Sequence, residues 1–124
     1  MTSNASNFKF ENLKVWQKSL DYVEFIYKIS QDFPKIEIFG LQSQLRRAAI
    51  SVALNIAEGS GKTTYKSFSK FLDDSVGSLR ESVTCLYIAK RLKYISDADF
   101  DLAYSQATEI SKMLYSLAKS LSVK

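Results

Sequence analysis

Lys62, Lys66 and Lys70 recur every four residues. On a helix that spacing stacks three ammonium groups on one face, where like charges repel by about 0.2–0.5 kcal/mol per pair. An anionic partner would relieve the repulsion. Thr63, Thr64, Tyr65, Ser67 and Ser69 interleave with them, offering hydroxyls to phosphate oxygens, and Tyr65 and Phe68 offer rings on which unpaired bases could stack. Arg80, Lys90, Arg91 and Lys93 carry the positive character onward. Lys62, Lys66, Lys70, Arg80, Lys90, Arg91 and Lys93 are therefore the candidate surface for RNA or single-stranded DNA. The competing reading of the same residues is a solvated helix face, with Lys70 paired to Asp74 one turn on and Phe68 turned into the core.

The distribution of charge agrees with that placement. The 124 residues carry 17 Lys+Arg and 13 Asp+Glu, a net +4. Residues 1–61 hold seven basic and six acidic groups, residues 62–95 seven and three, and residues 96–124 three and four. The excess thus sits in the third quarter, where a modest field attracts nucleic acid or an acidic surface.

A second constellation is polar. Gln44, Arg47, Ser51, Asn55 and Glu58 follow steps of three and four, which puts them on one narrow face of an otherwise apolar helix. Such a stripe could line a channel or hold a partner's backbone. Alternatively it is an internal network of Arg46, Arg47, Asn55, Glu58 and Glu81, in which Arg46 or Arg47 pairs with Glu58 or Glu81 and locks helix to helix.

Several chemistries are excluded. With no His the chain lacks the commonest metal ligand and general base, and its one Cys cannot form an internal disulfide. No catalytic residue, metal, cofactor or small-molecule substrate is expected. Gly59-Ser60-Gly61-Lys62-Thr63 superficially matches a phosphate loop, but the first glycine of that motif would fall at Ile56, within a helical pattern. Cys85 sits among apolar neighbours as an inert core thiol. The start, MTSNASN, has no apolar segment of a signal peptide, and the most apolar stretch, Ala48 to Ala57, is far short of the roughly 20 residues of a membrane span. A cytoplasmic location with reduced Cys85 is expected.

The elements that position these groups follow from the breakers, one Pro and four Gly. Residues 1–10 are expected to form a disordered tail and 11–124 a single domain. Leu13, Trp16, Leu20, Val23 and Tyr27 mark a first helix, about Asn12 to Gln31, ended by Phe33-Pro34. Leu41, Leu45, Ala48, Ala49, Val52 and Ile56 mark a second, from about Phe39 to Glu58, stopped at Gly59-Ser60-Gly61 by a left-handed glycine. A third starts near Thr63 or Thr64 and carries Phe68, Leu72, Ser75, Leu79, Ser82, Leu86 and Ala89 toward Lys93-Tyr94. Ser96 caps a fourth, with Phe100, Ala103, Ala107, Ile110, Leu114, Leu117 and Leu121 in heptad spacing. Four amphipathic helices on short links, with no alternating strand pattern, imply an all-α, up-down-up-down antiparallel four-helix bundle. Ile50, Ala53, Leu54, Val76, Val83, Cys85 and Ile88 lie off the main seams, as either a face for oligomerisation or a wide core-facing surface. Gly77-Ser78, flanked by Ser75 and Ser82, is a small-residue strip where helices could approach closely.

Phe10-Glu11-Asn12-Leu13-Lys14-Val15-Trp16-Gln17, Phe33-Pro34 with Glu37, Phe39-Gly40-Leu41, Gln44-Leu45-Arg46-Arg47-Ala48-Ala49, Asn55-Ile56-Ala57-Glu58-Gly59, Phe68, Phe71-Leu72 and Gly77-Ser78-Leu79 with Glu81 form a series at fixed spacings. Over nearly its whole length the chain resembles the bacterial four-helix bundle proteins found in intervening sequences of 23S ribosomal RNA genes. That family is similar to the accessory variability determinant of diversity-generating retroelements, which works beside a reverse transcriptase and its template RNA. The resemblance implies a bundle assembled as a homopentameric ring; in the retroelement branch it implies nucleic-acid binding through a basic surface without catalysis. Five copies at +4 would carry +20. That retroelement protein is expected to be more basic than +4, which places the chain in the intervening-sequence branch. Two functions are expected from this: a non-enzymatic homo-oligomer that binds nucleic acid electrostatically or, alternatively, a protein-interaction ring, for example a reverse-transcriptase partner, with no nucleic-acid binding of its own.

Overall fold

The computed structural model describes residues 7–122. A 3-10 turn at Lys9–Asn12 precedes helix α1, Lys14–Ser30, and a second 3-10 turn at Lys35–Glu37 leads into α2, Leu41–Ser60. Helices α3, Tyr65–Arg91, and α4, Asp97–Ser122, complete the chain, and no strand occurs among the described residues. Of the tail expected over 1–10, residues 1–6 lie outside the described residues. Lys9 and Phe10 belong to the first turn, with the Phe10 ring 4.8 Å from that of Trp16.

The helix starts follow local chemistry. Thr64, in extended conformation, accepts the Ser67 N–H on its hydroxyl at 3.1 Å, and Ser96 accepts that of Asp99 at 3.1 Å, which satisfies donors that have no partner within the helix. The carboxylate of Glu37 accepts the Leu41 N–H at 2.9 Å, placing a negative charge at the positive end of α2. The same carboxylate accepts a hydrogen bond from the Tyr94 hydroxyl at 3.1 Å, so the α1–α2 link is tied to the α3–α4 turn.

Two expectations about glycine change. Helix α2 ends within the expected Gly59-Ser60-Gly61 run, with Gly61 at its C-cap, but Gly59 and Ser60 form its buried last turn and no glycine has positive φ. A Cβ on Gly59 would lie 2.7 Å from Phe71 Cβ and 3.0 Å from the Phe68 ring, so the residue is there for space and not for a turn. The left-handed position falls instead at Lys93, φ 63, where Tyr94 N–H reaches Ala89 O at 2.8 Å and Lys93 N–H reaches Lys90 O at 3.0 Å, closing α3. Gly77 faces open space, so the close approach expected at Gly77-Ser78 is made by the serines alone. Ser78 donates to Ser51 Oγ at 2.8 Å and Ser75 to Val52 O at 2.8 Å.

The helices pack as a bundle. Each lies against the next in chain order, α2 and α3 most extensively, and α4 closes on α1. Pairing of Gln44 with Glu81, Ser51 with Ser78 and Val52 with Ser75 fixes α2 and α3 as antiparallel. The heptad of α4 turns inward at Phe100, Ala103, Ala107, Ile110, Leu114 and Leu121, into one buried core with Leu72, Leu79 and Leu86 of α3 and Leu45, Val52 and Ile56 of α2. The off-seam residues divide: Ala53, Val76 and Cys85 are buried, whereas Leu54 and Ile88 stay exposed.

Tyr22 lies fully buried at the centre of the core, its hydroxyl 2.7 Å from Ser82 Oγ. Ser82 commits its own hydrogen to Leu79 O at 2.7 Å, so Tyr22 is the donor. Burial pushes the phenol from 10.0 up to about 12. The stability this contributes is complete below pH 10 and is lost as pH rises through the folded-state value, a loss of about 2–3 kcal/mol. Tyr22→Phe keeps the ring but has no proton to lose. Its melting temperature should therefore fall less between pH 10 and 12 than the parent's; parallel curves would show that the buried phenol does not govern alkaline stability.

Candidate nucleic-acid interface

Lys66, Lys70, Arg80, Lys90 and Arg91 lie on α3, with Lys62 just before it and Lys93 just after. At about 100° per residue Lys66, Lys70, Arg80 and Arg91 fall within an arc of about 80°, extending some 37 Å along the helix, while Lys90 stands outside it toward α4. All seven are exposed except Lys90, which is half-buried.

Their freedom to bind differs. Lys62 pairs with Glu58 at 3.4 Å and lies 5.1 Å from the Phe71 ring centre, and Lys70 pairs with Asp74 at 3.8 Å, as the solvated-face reading expected. Lys90 sits over Phe100 at 4.4 Å. Lys66, Arg80, Arg91 and Lys93 have no ion pair among the described residues. Asp73 shares the arc and Glu81 lies at its edge, so positive charge gathers toward the two ends. Phe68 packs against the core and Gly59, which removes it as a base platform, whereas Tyr65 stays 54% exposed.

The polar network forms with different partners from those expected. Neither Arg46 nor Arg47 reaches a carboxylate among the described residues. Arg46 instead donates from Nε to Ser30 Oγ at 2.9 Å and from Nη2 to Tyr27 O at 3.1 Å, with its guanidinium carbon 4.3 Å from the Tyr27 ring centre, locking α2 to α1. Carbonyl oxygens left free at the end of α1 attract this cation. Glu81 accepts from Gln44, Glu58 takes Lys62, and Asn55 donates to Ser51 O at 2.9 Å within its own helix. Arg47 is exposed. Arg46→Ala should therefore cost about 2 kcal/mol of unfolding free energy and Arg47→Ala less than about 0.5, measured by urea denaturation. The reverse order would restore Arg47 to the network.

A groove of 460 Å³ follows the seam between α3 and α4. Arg80 of α3 and Tyr104 and Lys112 of α4 line it, and no carboxylate does among the described residues. Beyond Tyr104 an aromatic cluster continues, with the Phe100 ring 5.8 Å and the Tyr87 ring 6.4 Å from that of Tyr104. Tyr87, Tyr104 and Lys112 are not apparent as a set from sequence, because they come from two helices whose register only the fold supplies. The one local trace is the Phe100-Tyr104 pair at helical spacing.

Burial, reinforced by the nearby Glu81 carboxylate, pushes the Cys85 thiol up, away from a reactive thiolate. Among the described residues no group of three or more His, Cys, Asp or Glu could hold a metal ion, and no helix is long and apolar enough to cross a membrane.

The sequence profile of the 23S rRNA-intervening sequence proteins matches residues 11–116. The chain belongs to this family. Among solved structures it is similar to a protein of unknown function from the S23 ribosomal protein family of Bacteroides thetaiotaomicron VPI-5482. The two share 26% identity and a TM-score of 0.76, over 85% of this chain and 98% of that one. No curated protein matches.

Within the matched range, several residues of the series singled out in the sequence are joints of the bundle. Phe33 is buried 5.4 Å from the Tyr94 ring, Glu37 caps α2, Gln44 meets Glu81, Arg46 ties α2 to α1, and Gly59 admits Phe68 and Phe71.

Proposed function

We propose that this member of the 23S rRNA-intervening sequence family is a non-enzymatic homo-oligomer that binds RNA or single-stranded DNA electrostatically along α3. The observation that carries the reading is the arc of exposed cations on one helix face, with Lys66, Arg80 and Arg91 unpaired among the described residues. Phosphate contacts made by such groups release counterions, so the affinity is sequence-tolerant and falls as salt rises. Assembly multiplies the field of a +4 chain. Exposed apolar side chains at one end of the bundle support assembly: Phe39 is 97% exposed and Ile36 84%, and Leu92, in the link that Tyr94 ties to Glu37, is 51% exposed.

That apolar end also favours a second reading, a protein-interaction ring, for which a reverse transcriptase is one candidate partner, without nucleic-acid affinity. Light scattering with and without a labelled single-stranded RNA, across a salt series, separates the two. A particle of several 14.1 kDa chains, about 70 kDa for a pentamer, that binds RNA with a steep loss on adding salt supports the first. The same particle with no binding at low salt supports the second.

A further inference from the structure

We propose that the α3–α4 groove is a pocket for an unpaired base, with Tyr104 as its stacking platform and Arg80 and Lys112 as its phosphate clamps. This rests on the nucleic-acid reading and extends it from the surface of α3 to α4. The groove volume of 460 Å³ is within the range of about 300–1,000 Å³ typical of small-ligand sites. Its floor is apolar, formed by Leu79, Val83 and Ala107, and its two cations come from opposite walls. Neither Arg80 nor Lys112 has an ion pair among the described residues, and the absence of a carboxylate from the lining leaves both charges uncompensated there.

The ligand chemistry follows from this combination. An apolar floor takes a flat, weakly solvated body, a half-exposed aromatic ring takes its π-face, and a cation on each wall takes an oxyanion attached to it. Tyr104 is 44% exposed and its ring is held from behind by Phe100, which is buried, and from the side by Tyr87, 46% exposed. The platform is therefore fixed in place before any ligand arrives, which limits the ordering cost of binding. Lys90, over Phe100 at 4.4 Å, adds a third cation at that end. A nucleobase flanked by backbone phosphates meets all three requirements. In a duplex the bases are stacked and paired inside, so the groove selects single-stranded nucleic acid over double-stranded.

The test compares the assembled protein with two fluorescent probes by anisotropy: an oligouridylate of about 20 nucleotides and an abasic ribose-phosphate strand of the same length. The parent is expected to bind the base-bearing probe about tenfold more tightly. Tyr104→Leu should remove that difference by weakening the base-bearing probe alone, while Tyr104→Phe, which keeps the ring, should retain it. Lys112→Gln should weaken both probes equally and lower the salt exponent by about 0.7. Equal binding of the two probes by the parent, with Tyr104→Leu without effect, would overturn the base pocket and leave the electrostatic reading standing. Absence of binding to either probe at low salt would overturn both.

Discussion

Replacing Lys66, Arg80 and Arg91 together by Glu is expected to weaken binding of single-stranded RNA by at least about a hundredfold near 0.1 M salt. The magnitude follows from counterion release: each phosphate contact to a single strand contributes a salt exponent of about 0.7, a factor of about five at that salt, and three contacts multiply to roughly a hundred before repulsion is added. These three are chosen because each is exposed and none has an ion pair among the described residues. Reversing Lys62 and Lys70 should cost less per residue, since Glu58 and Asp74 already offset them. Circular dichroism and light scattering on the same samples check that helicity and assembly survive. If the triple reversal left affinity unchanged, α3 would not be the contact surface.

The largest expected effect on stability lies at Gly59. A β-carbon there would meet Phe71 Cβ at 2.7 Å and the carbonyl oxygen of Phe68 at 3.3 Å, atoms attached to or part of the α3 backbone that cannot swing aside. Helices α2 and α3, the pair that packs most extensively, would have to separate at this end. Gly59→Val, which adds two further methyl groups at the same point, should cost about 3 kcal/mol and lower Tm by roughly 10 °C. Gly59→Ala should cost less, because the better helix propensity of Ala offsets about 1 kcal/mol. An unchanged Tm for the valine variant would mean that this end of the α2–α3 contact is loose.

Much of the bundle was legible from spacing alone. The heptad Phe100 to Leu121 marks the buried face of α4, and Thr64 and Ser96 cap α3 and α4 as their types require, because helix periodicity and capping are local properties. Gly59 was misleading for the converse reason. A glycine that ends a helix and one that admits a neighbouring helix look the same in one dimension, and only the approach of Phe71 distinguishes them. Arg46 shows the same limit, since the expected carboxylate partners were Glu58 and Glu81, whereas the end of α1 supplied Ser30 and the carbonyl of Tyr27. The cations of α3 could be read from their four-residue spacing. Their inequality could not, because it depends on which side chains neighbouring turns and helices bring beside them.

The order in which the helices pack has a kinetic consequence. Because each helix rests chiefly on its sequence neighbour, most native contacts are short in chain separation, the condition under which helical domains fold in microseconds to milliseconds. The α2–α3 hairpin has the most extensive contact and joins sequence neighbours, so its two helices can meet while α4 is still being synthesised. The closure of α4 on α1, which spans the whole bundle, is the step that must wait for the rest of the chain.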